Sequence, residues 1–586
     1  MTEPTPVDWR DRSQGTLLGA AVGDALGWPQ EQRSGIVGGR KARRVEPRLE
    51  FRPWTRWGGG RFTRYKDPVA AGEYSDDTQL LLATARACLT GDDWLTWLTD
   101  VELRVWSVYQ RGGGRAVLKA TRAWARGTAP WRSSKDEVDE YFAAGGNGAA
   151  MRVAPHALLL AEDGCPQDLV RRIVLDGMTT HGHPRALVGA VVYGLAVWHT
   201  LRRREAMQYG GLVDWLLTSA DWSDLAVPHE NLPDDWLRAF AEHHGHDFRH
   251  SWENTGREMR DLLRTVQSSL ERGLLADDDQ ALRQLGCFDA KVNGAGTISA
   301  AAACYIAERF AVKPQAGLRK SAFLADADTD TLASMSGGLL GAVHGTKWLD
   351  GLTPTLQDHG YIGRLAERLS PPRPDVEPAS FPAPDTRAWL ESVAAAELPD
   401  TFVDGRGVRD ARWIDLESSG KQRTARLSLT LDDGQHVMID RQLRTQQRRE
   451  PAVRTETAAA GRPEVSEHRT AEPPTVTRVA LQVRNLSETR NFYAGVLGVQ
   501  VRESERALYV GSWLAFVEGQ EDPHLTLGPT AQVVVACPDP KGVEERLKEH
   551  GIQPLARGPD DVDGSLRVRD PDDNEVLLWP PKTRSG

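Results

Sequence analysis

Cysteine is scarce in this chain, with five in 586 residues. Cys88, Cys165, Cys287, Cys304 and Cys537 are scattered and none lies in a CxxC spacing. That excludes a disulfide framework and a thiolate zinc site, and reads as buried thiols in a reducing compartment. A basic excess is missing too. Lys and Arg number 72 against 82 Asp and Glu, a net charge of −10. A surface that binds the phosphate backbone broadly needs a basic face, so that class is set aside. A nucleic-acid base or end as a small substrate stays open. No long apolar run occurs. The stretch after residue 15 is broken by Asp24 and is too short to span a bilayer. The polar start MTEPTPVDWRDRSQG lacks a leader pattern. The expectation is a cytoplasmic protein with no membrane role. No Ser–His–Asp or Cys–His arrangement is apparent either.

What is present is an ordinary globular composition, 40% hydrophobic and 26% charged. The length exceeds what one core supports, so the chain divides. Residues 12–370 repeat apolar residues at three- and four-residue intervals, as in 184–201 and 331–345, which predicts a large, mainly α-helical domain. Proline breaks the pattern at 370–386. Residues 387–445 hold one possible helix, then alternating segments around a DDG turn, a small α+β unit of unknown role. Residues 446–474 are polar and charged, a flexible linker. Strands alternate with helices over 475–582, a compact α+β domain.

Four segments of the helical region carry chemistry. Gly15, Gly19, Gly23 and Gly27 fall on one helix face. Each glycine costs about 1 kcal/mol against alanine, so the stripe marks an unusually close helix crossing. Glu31 follows where that helix ends, the worse end for an anion, and on its own reads as solvated. In YSDDT, Ser75 is a plausible N-cap with Asp76 and Asp77 in the first turn. In LADADTDT, Asp326, Asp328, Asp330 and Thr331 begin another helix. Capping and the helix dipole explain an acid or two at each start. They do not explain why both starts gather acids and hydroxyls with no basic residue among them. An all-oxygen donor set selects Mg²⁺, Mn²⁺ or Ca²⁺ over zinc. Two ions clamped between the helix starts are the favoured reading. The glycine-rich loop of GGNGAAMRVAPH (145–156) can cradle a phosphate, and His181 opens a helix as cap, core residue or ligand-binder. Trp54 and Trp57 beside Gly58, Gly59 and Gly60 make either an aromatic lid or plain surface packing.

These blocks, GxxxGxxxGDxxG…E at 15–31, SDDT at 75–78, GNGAAMR at 146–152, THGHP at 180–184 and DTDTLASMSGGLLGAVHG at 328–345, resemble the ADP-ribosylglycohydrolase family in its own order. The resemblance implies an all-α fold with a binuclear magnesium site, Mn²⁺ being possible. It assigns metal coordination to Ser75, Asp76, Asp77, Asp328, Asp330 and Thr331. It places Asn147, Gly148, Met151 and His181 at the substrate, and Glu31 on a mobile segment beside the metals. Catalysis is then expected from Asp77 or Asp328 as the base for water, with Glu31 as an accessory group. The implied reaction is hydrolysis of the bond joining ADP-ribose to a protein side chain, nucleic-acid base or small conjugate. The alternative is a sensor that binds ADP-ribose without turnover. One departure stands out: Asp326 and Ala327 occupy positions where the family usually has glycine.

Residues 475–582 resemble the βαβββ modules of the vicinal oxygen chelate superfamily, which includes glyoxalase and bleomycin-resistance proteins. Counting from Asn485 and Asp539, the metal-ligand positions of that fold fall on Arg478 and Gln532, near Thr526, and on Leu577. Only Gln532 suits a metal, and His524 reads as an exposed loop residue. The domain is expected to be non-catalytic, a small-molecule cup or a dimer contact.

Overall fold

The computed structural model describes residues 8–31, 36–37, 40–41, 46–59, 63–204, 207–223, 232–371, 384–394, 398–418, 423–443, 453–454, 479–483, 486–496, 501–504, 507–510, 514–518, 532–536, 540–550, 552–554, 566–569 and 575–579. They form two compact units, divided between residues 459 and 460.

The first unit opens with α1 (Trp9–Gly27). A hairpin of β1 (Trp54–Gly58) and β2 (Tyr65–Val69) follows. Next comes α2 (Asp76–Cys88), whose N-cap Ser75 accepts a hydrogen bond from the Asp77 amide at 3.2 Å. The helices used below are α3 (Arg115–Ala125), α4 (Pro184–Arg202), α5 (Gly296–Arg309), α6 (Thr329–His344) and α7 (His359–Leu369). Helices α4 and α5 are apolar nearly all round, and the fold buries them accordingly.

The central contact joins α1 to α6. They run antiparallel, because Gly27 meets Thr329 while Gly15 meets Gly345. A β-carbon on Gly19 would lie 2.3 Å from the Gly337 carbonyl oxygen, and one on Gly23 would lie 2.0 Å from that of Ala333. The four glycines of α1 give up roughly 3–4 kcal/mol of helix propensity. In return the two backbones touch, and the end of α1 lies beside the start of α6. The Thr329 hydroxyl seals that end by donating to the Gly27 carbonyl at 2.9 Å.

After α8 (Thr386–Ala394), three antiparallel strands form a meander: β3 (Val408–Leu416), β4 (Arg423–Leu431) and β5 (His436–Leu443). The β4–β5 turn uses Gly434 at φ 91°, the left-handed region glycine enters freely. The sequence suggests that 387–445 stands apart; the structure instead builds these strands onto the helical body. Tyr65 donates to Asp440 at 2.7 Å, Arg86 to Gln435 at 3.1 Å, and the His436 amide to Asp358 at 3.0 Å. Charges that alternation assigns to a solvated strand face, Arg426 and Asp440, are satisfied by Asp67 and Tyr65 of the β1–β2 hairpin. Val453–Arg454, inside the expected linker, pair with β3. The rest of 446–474 lies outside the described residues.

Cys88, Cys287 and Cys304 are buried and free, but Cys165 is exposed, contrary to the reading of all five as buried thiols. Its sulfur caps the helix Pro166–Met178, accepting from the Asp168 amide at 3.4 Å, which keeps it at the surface. Cys537 lies outside the described residues. Trp54 packs edge-on against Trp28 at 5.2 Å while Trp57 is exposed; Gly60 lies outside the described residues.

In the second unit, Val479–Val483, a helix at Leu486–Arg490, and the strands Val501–Ser504, Ala507–Val510 and Leu514–Glu518 make one four-stranded sheet with its helix. Gln532–Ala536, the helix Pro540–Glu549, Leu566–Arg569 and Glu575–Trp579 make a second sheet with its helix, three-stranded among the described residues. In both halves the first strand lies parallel to the last. Gln532 and Leu577 sit on neighbouring strands of the second sheet; Arg478, His524 and Thr526 lie outside the described residues. No described helix is long and apolar enough to cross a membrane.

Candidate active site

The α1–α6 crossing decides where the acids go. It sets Glu31, just past α1, next to the start of α6, and α2 points its own start at the same place. Asp76 and Asp77 from α2, Asp328, Asp330 and Thr331 from α6, and Glu31 all line one cavity of about 230 Å³. Asn147, Gly148, Met151 and His181 line it too. Ser75 does not: it is fully buried and capping α2. Glu31, read alone as a solvated acid, offers a carboxylate oxygen within 4.8 Å of those of Asp328 and Asp330. The dipole argument against it fails because the neighbouring start of α6 supplies the favourable helix end.

So many acids in one place raise each other's proton affinity. Asp77 is pushed well above the usual carboxylate range by burial first, then by Asp24, Asp76 and Asp328. Asp330 is pushed the same way by burial, then Glu31, Asp328 and Asp77. A hydrogen bond from Thr331 opposes the effect at Asp77. The Oδ1 atom of Asp77 is buried without a hydrogen-bond partner. An orphaned carboxylate oxygen in an acid-lined cavity is the condition a divalent cation relieves. The donors are hard oxygens throughout, so the residues fit a hard divalent cation such as Mg²⁺, Mn²⁺ or Ca²⁺.

Several parts of the site receive no role from the sequence reading. Asp24 is fully buried beneath the α2 start. Its carboxylate accepts from the Ser75 amide at 3.0 Å, the Thr78 amide at 3.0 Å and the Thr78 hydroxyl at 2.6 Å. Burial raises its pKa, and those hydrogen bonds pull against the rise. The available signal was an acid alone in an apolar, glycine-striped helix. Gly294 is another omission. Its carbonyl accepts from the Asn147 amide at 2.9 Å, and a β-carbon there would come within 3.0 Å of an Asp328 oxygen. Asn147 in turn donates to Asp328 at 3.1 Å and to Ser299 at 3.0 Å, fixing that carboxylate from the loop side. Gly112, Gly114 and Arg115 complete the wall ahead of α3.

His181 does not open a helix. The N-cap of α4 is His183, whose ring nitrogen accepts from the Arg185 amide at 3.1 Å, while His181 lies before it against the loop. The proline of HGHP takes the first helical position, which moves the cap to its neighbour. Burial, reinforced by Arg152, holds His181 down at about 3 against an ordinary 6.5. An unfolded chain takes a proton on this ring below about pH 6.5 and the folded chain does not. The stability due to the neutral ring is therefore complete above that pH and is lost as pH falls toward 3. The urea midpoint should drop more in the native chain than in His181→Gln between about pH 7.5 and 5.5. Parallel pH profiles would contradict this assignment.

The unusual Asp326 has a physical reason. Its backbone is left-handed, at φ 68°, where glycine sits without strain and aspartate is among the residues that tolerate it.

Comparison with known proteins bears on this geometry. The family described as ADP-ribosylglycohydrolase matches residues 5–378. The glyoxalase/bleomycin resistance protein/dioxygenase superfamily matches residues 475–578. An ADP-ribosyl-[dinitrogen reductase] glycohydrolase of Rhodospirillum rubrum is 30% identical over 203 residues, covering 33% of this chain and 59% of that protein. The ADP-ribosylarginine hydrolase Tri1 of Pseudomonas putida (strain GB-1) is 30% identical over 172 residues, covering 26% and 38%. The chain thus spans less than two thirds of either relative. Among solved structures, an ADP-ribosylglycohydrolase-related protein complex is 21% identical, with a TM-score of 0.37 over 62% of this chain and 98% of that one. The antibiotic-binding protein TnmS3 from Streptomyces sp. CB03234 is 20% identical, with a TM-score of 0.16 over 19% and 99%.

Proposed function

This chain belongs to the ADP-ribosylglycohydrolase family, and from that we propose that it hydrolyses the glycosidic bond joining ADP-ribose to a modified target. The observation that carries the reading is the single cavity lined by Glu31, Asp76, Asp77, Asp328 and Asp330, in which one buried oxygen of Asp77 has no partner.

We assign Asp76, Asp77, Asp328, Asp330 and Thr331, with Ser75 behind them, to holding two divalent cations, Mg²⁺ by preference. When bound, such ions neutralise the acids and polarise ribose hydroxyls and water. The protein's own groups do the rest. Asn147 holds Asp328 in one orientation. Asp77 or Asp328 is the base offered to an attacking water. The surrounding carboxylates favour positive charge developing on the sugar as the bond to the leaving group lengthens. His181, held neutral, backs the Gly148 loop against which the substrate would lie. Glu31 closes the α1 side.

Arginine-linked ADP-ribose is the first target to test, given the name of the Pseudomonas relative. Release of ADP-ribose from arginine-, serine- and base-linked substrates should fall at least about 100-fold under chelation and return with Mg²⁺ or Mn²⁺. Undiminished release in chelator would end the metal assignment. Binding of ADP-ribose with no turnover on any linkage would favour a sensor instead. For the second unit we propose a non-catalytic role, as a small-molecule cup or dimer contact.

A further inference from the structure

The β3–β5 meander lies beyond residues 5–378, the range matched to the family. It nevertheless supplies a buried cation that connects, through Asp67 and Arg111, to a loop in the wall of the cavity. Arg426, in the middle of β4, is 3% exposed. Its guanidinium donates to both oxygens of Asp440, at 2.7 and 2.9 Å, and to Asp67 at 2.6 Å. Asp67 is fully buried on β2 and also accepts from Arg56 at 2.5 Å and Arg111 at 2.9 Å. Burial alone would raise the Asp67 pKa, but Arg111, Arg56 and Arg426 together hold it down at about 2. Arg111 also pairs with Glu73 and lies over the Trp28 ring at 5.4 Å. The next residue, Gly112, has φ 99° and lines the cavity. A β-carbon there would be 3.0 Å from an oxygen of Asp76.

Hydrogen bonds therefore run from Arg426 to Asp67 and on to Arg111, whose neighbour Gly112 comes close enough to Asp76 to leave little room for a side chain. We propose that Arg426 is a positioning residue for the active site, and that the appended sheet fixes the 110–114 loop against the acids of α2. Without Arg426, Asp440 loses its bidentate cation and keeps the Tyr65 hydroxyl, and Asp67 must draw on Arg56 and Arg111 alone, so Arg111 is pulled from the geometry that three cations share. The loop that Arg111 anchors then loses its fixed position.

Part of the test reads turnover and so rests on the hydrolase reading above; hydrogen exchange does not. Three variants of the full chain are compared: Arg426→Gln, Arg426→Lys, and Arg423→Gln, which lies on β4 like Arg426 and removes a surface pair with Asp415 of β3. Exchange in segment 110–116 should rise at least tenfold in Arg426→Gln and stay at the native rate in Arg423→Gln. For any linkage that is cleaved, kcat should fall about tenfold with KM within threefold. Arg426→Lys keeps the charge but cannot reach both carboxylates, so its values should fall between. Should Arg426→Gln fail to fold, Arg426→Lys decides by the same exchange measurement. Faster exchange confined to 408–443, with 110–116 unchanged, overturns the proposal. Faster exchange at 110–116 with no turnover in any form, native included, sustains it and counts against the hydrolase reading alone.

Discussion

Replacing Asp328 and Asp330 together by alanine is expected to reduce release of ADP-ribose by on the order of 10³-fold or more, several kcal/mol of barrier. Loss of activity alone would not separate a chemical role from a structural one, so stability is the second measurement. In chelator the native chain carries mutually repelling acids, and burial plus Glu31, Asp328 and Asp77 already burden Asp330. The double variant should be no less stable there, and can be more so. Mg²⁺ at about 100 times its dissociation constant should stabilise the native chain by about 2.7 kcal/mol for each ion bound through mass action. The variant should gain almost nothing. Equal stabilisation of both forms, or surviving turnover, would remove the cation from between the helix starts.

The second large effect concerns Gly23→Ala. A methyl at this position would meet the Ala333 carbonyl oxygen at 2.0 Å and its carbon at 2.4 Å. Backbone cannot rotate aside as a side chain does, so the two helices must separate. Alanine recovers about 1 kcal/mol of helix propensity, against an overpacking penalty at or beyond the upper end of about 1–3 kcal/mol. A net loss of about 2 kcal/mol or more follows. Gly256→Ala supplies the contrast. That glycine also lies within a helix, Phe248–Glu271, but a β-carbon there would find only the Trp222 ring at 3.9 Å. Here the propensity gain stands unopposed, up to about 1 kcal/mol in favour of the fold. Denaturant midpoints should move in opposite directions. A common direction would refute the close-crossing explanation of the stripe.

The glycine stripe and the two acid-tipped helix starts were legible because both are local. A four-residue repeat and acids next to a capping serine are patterns within a single helix. Gly294 and Arg426 act across long sequence distances and nothing in their own neighbourhoods marks them, whereas Asp24 is marked by its glycine-striped helix but its partners on α2 are not. Arg426 shows why. Its strand reads as alternating, with Ala425, Leu427, Leu429 and Leu431 directed to a core, which consigns Arg426 to solvent. The hairpin of β1 and β2 covers that other face, and Thr424 and Arg426 are buried as well. The same covering joins 387–443 to the helical body, which composition and a proline-rich break present as a boundary. Glu31 taken alone reads as solvated for a related reason, and only the resemblance puts it at the site: its own helix end disfavours it, and the helix end that welcomes it begins far along the sequence.

The pairing of α1 with α6 also orders events during synthesis. Helix α1 leaves the ribosome early, with a glycine face that only α6 can cover, roughly three hundred residues later. At about 5–20 residues per second, that wait is on the order of 15–60 s. Glu31 and Asp77 have no Asp328 or Asp330 beside them in that interval, so the nascent polypeptide has no assembled centre with which to attack its substrate. Activity should therefore arise only once translation has passed the region of α6.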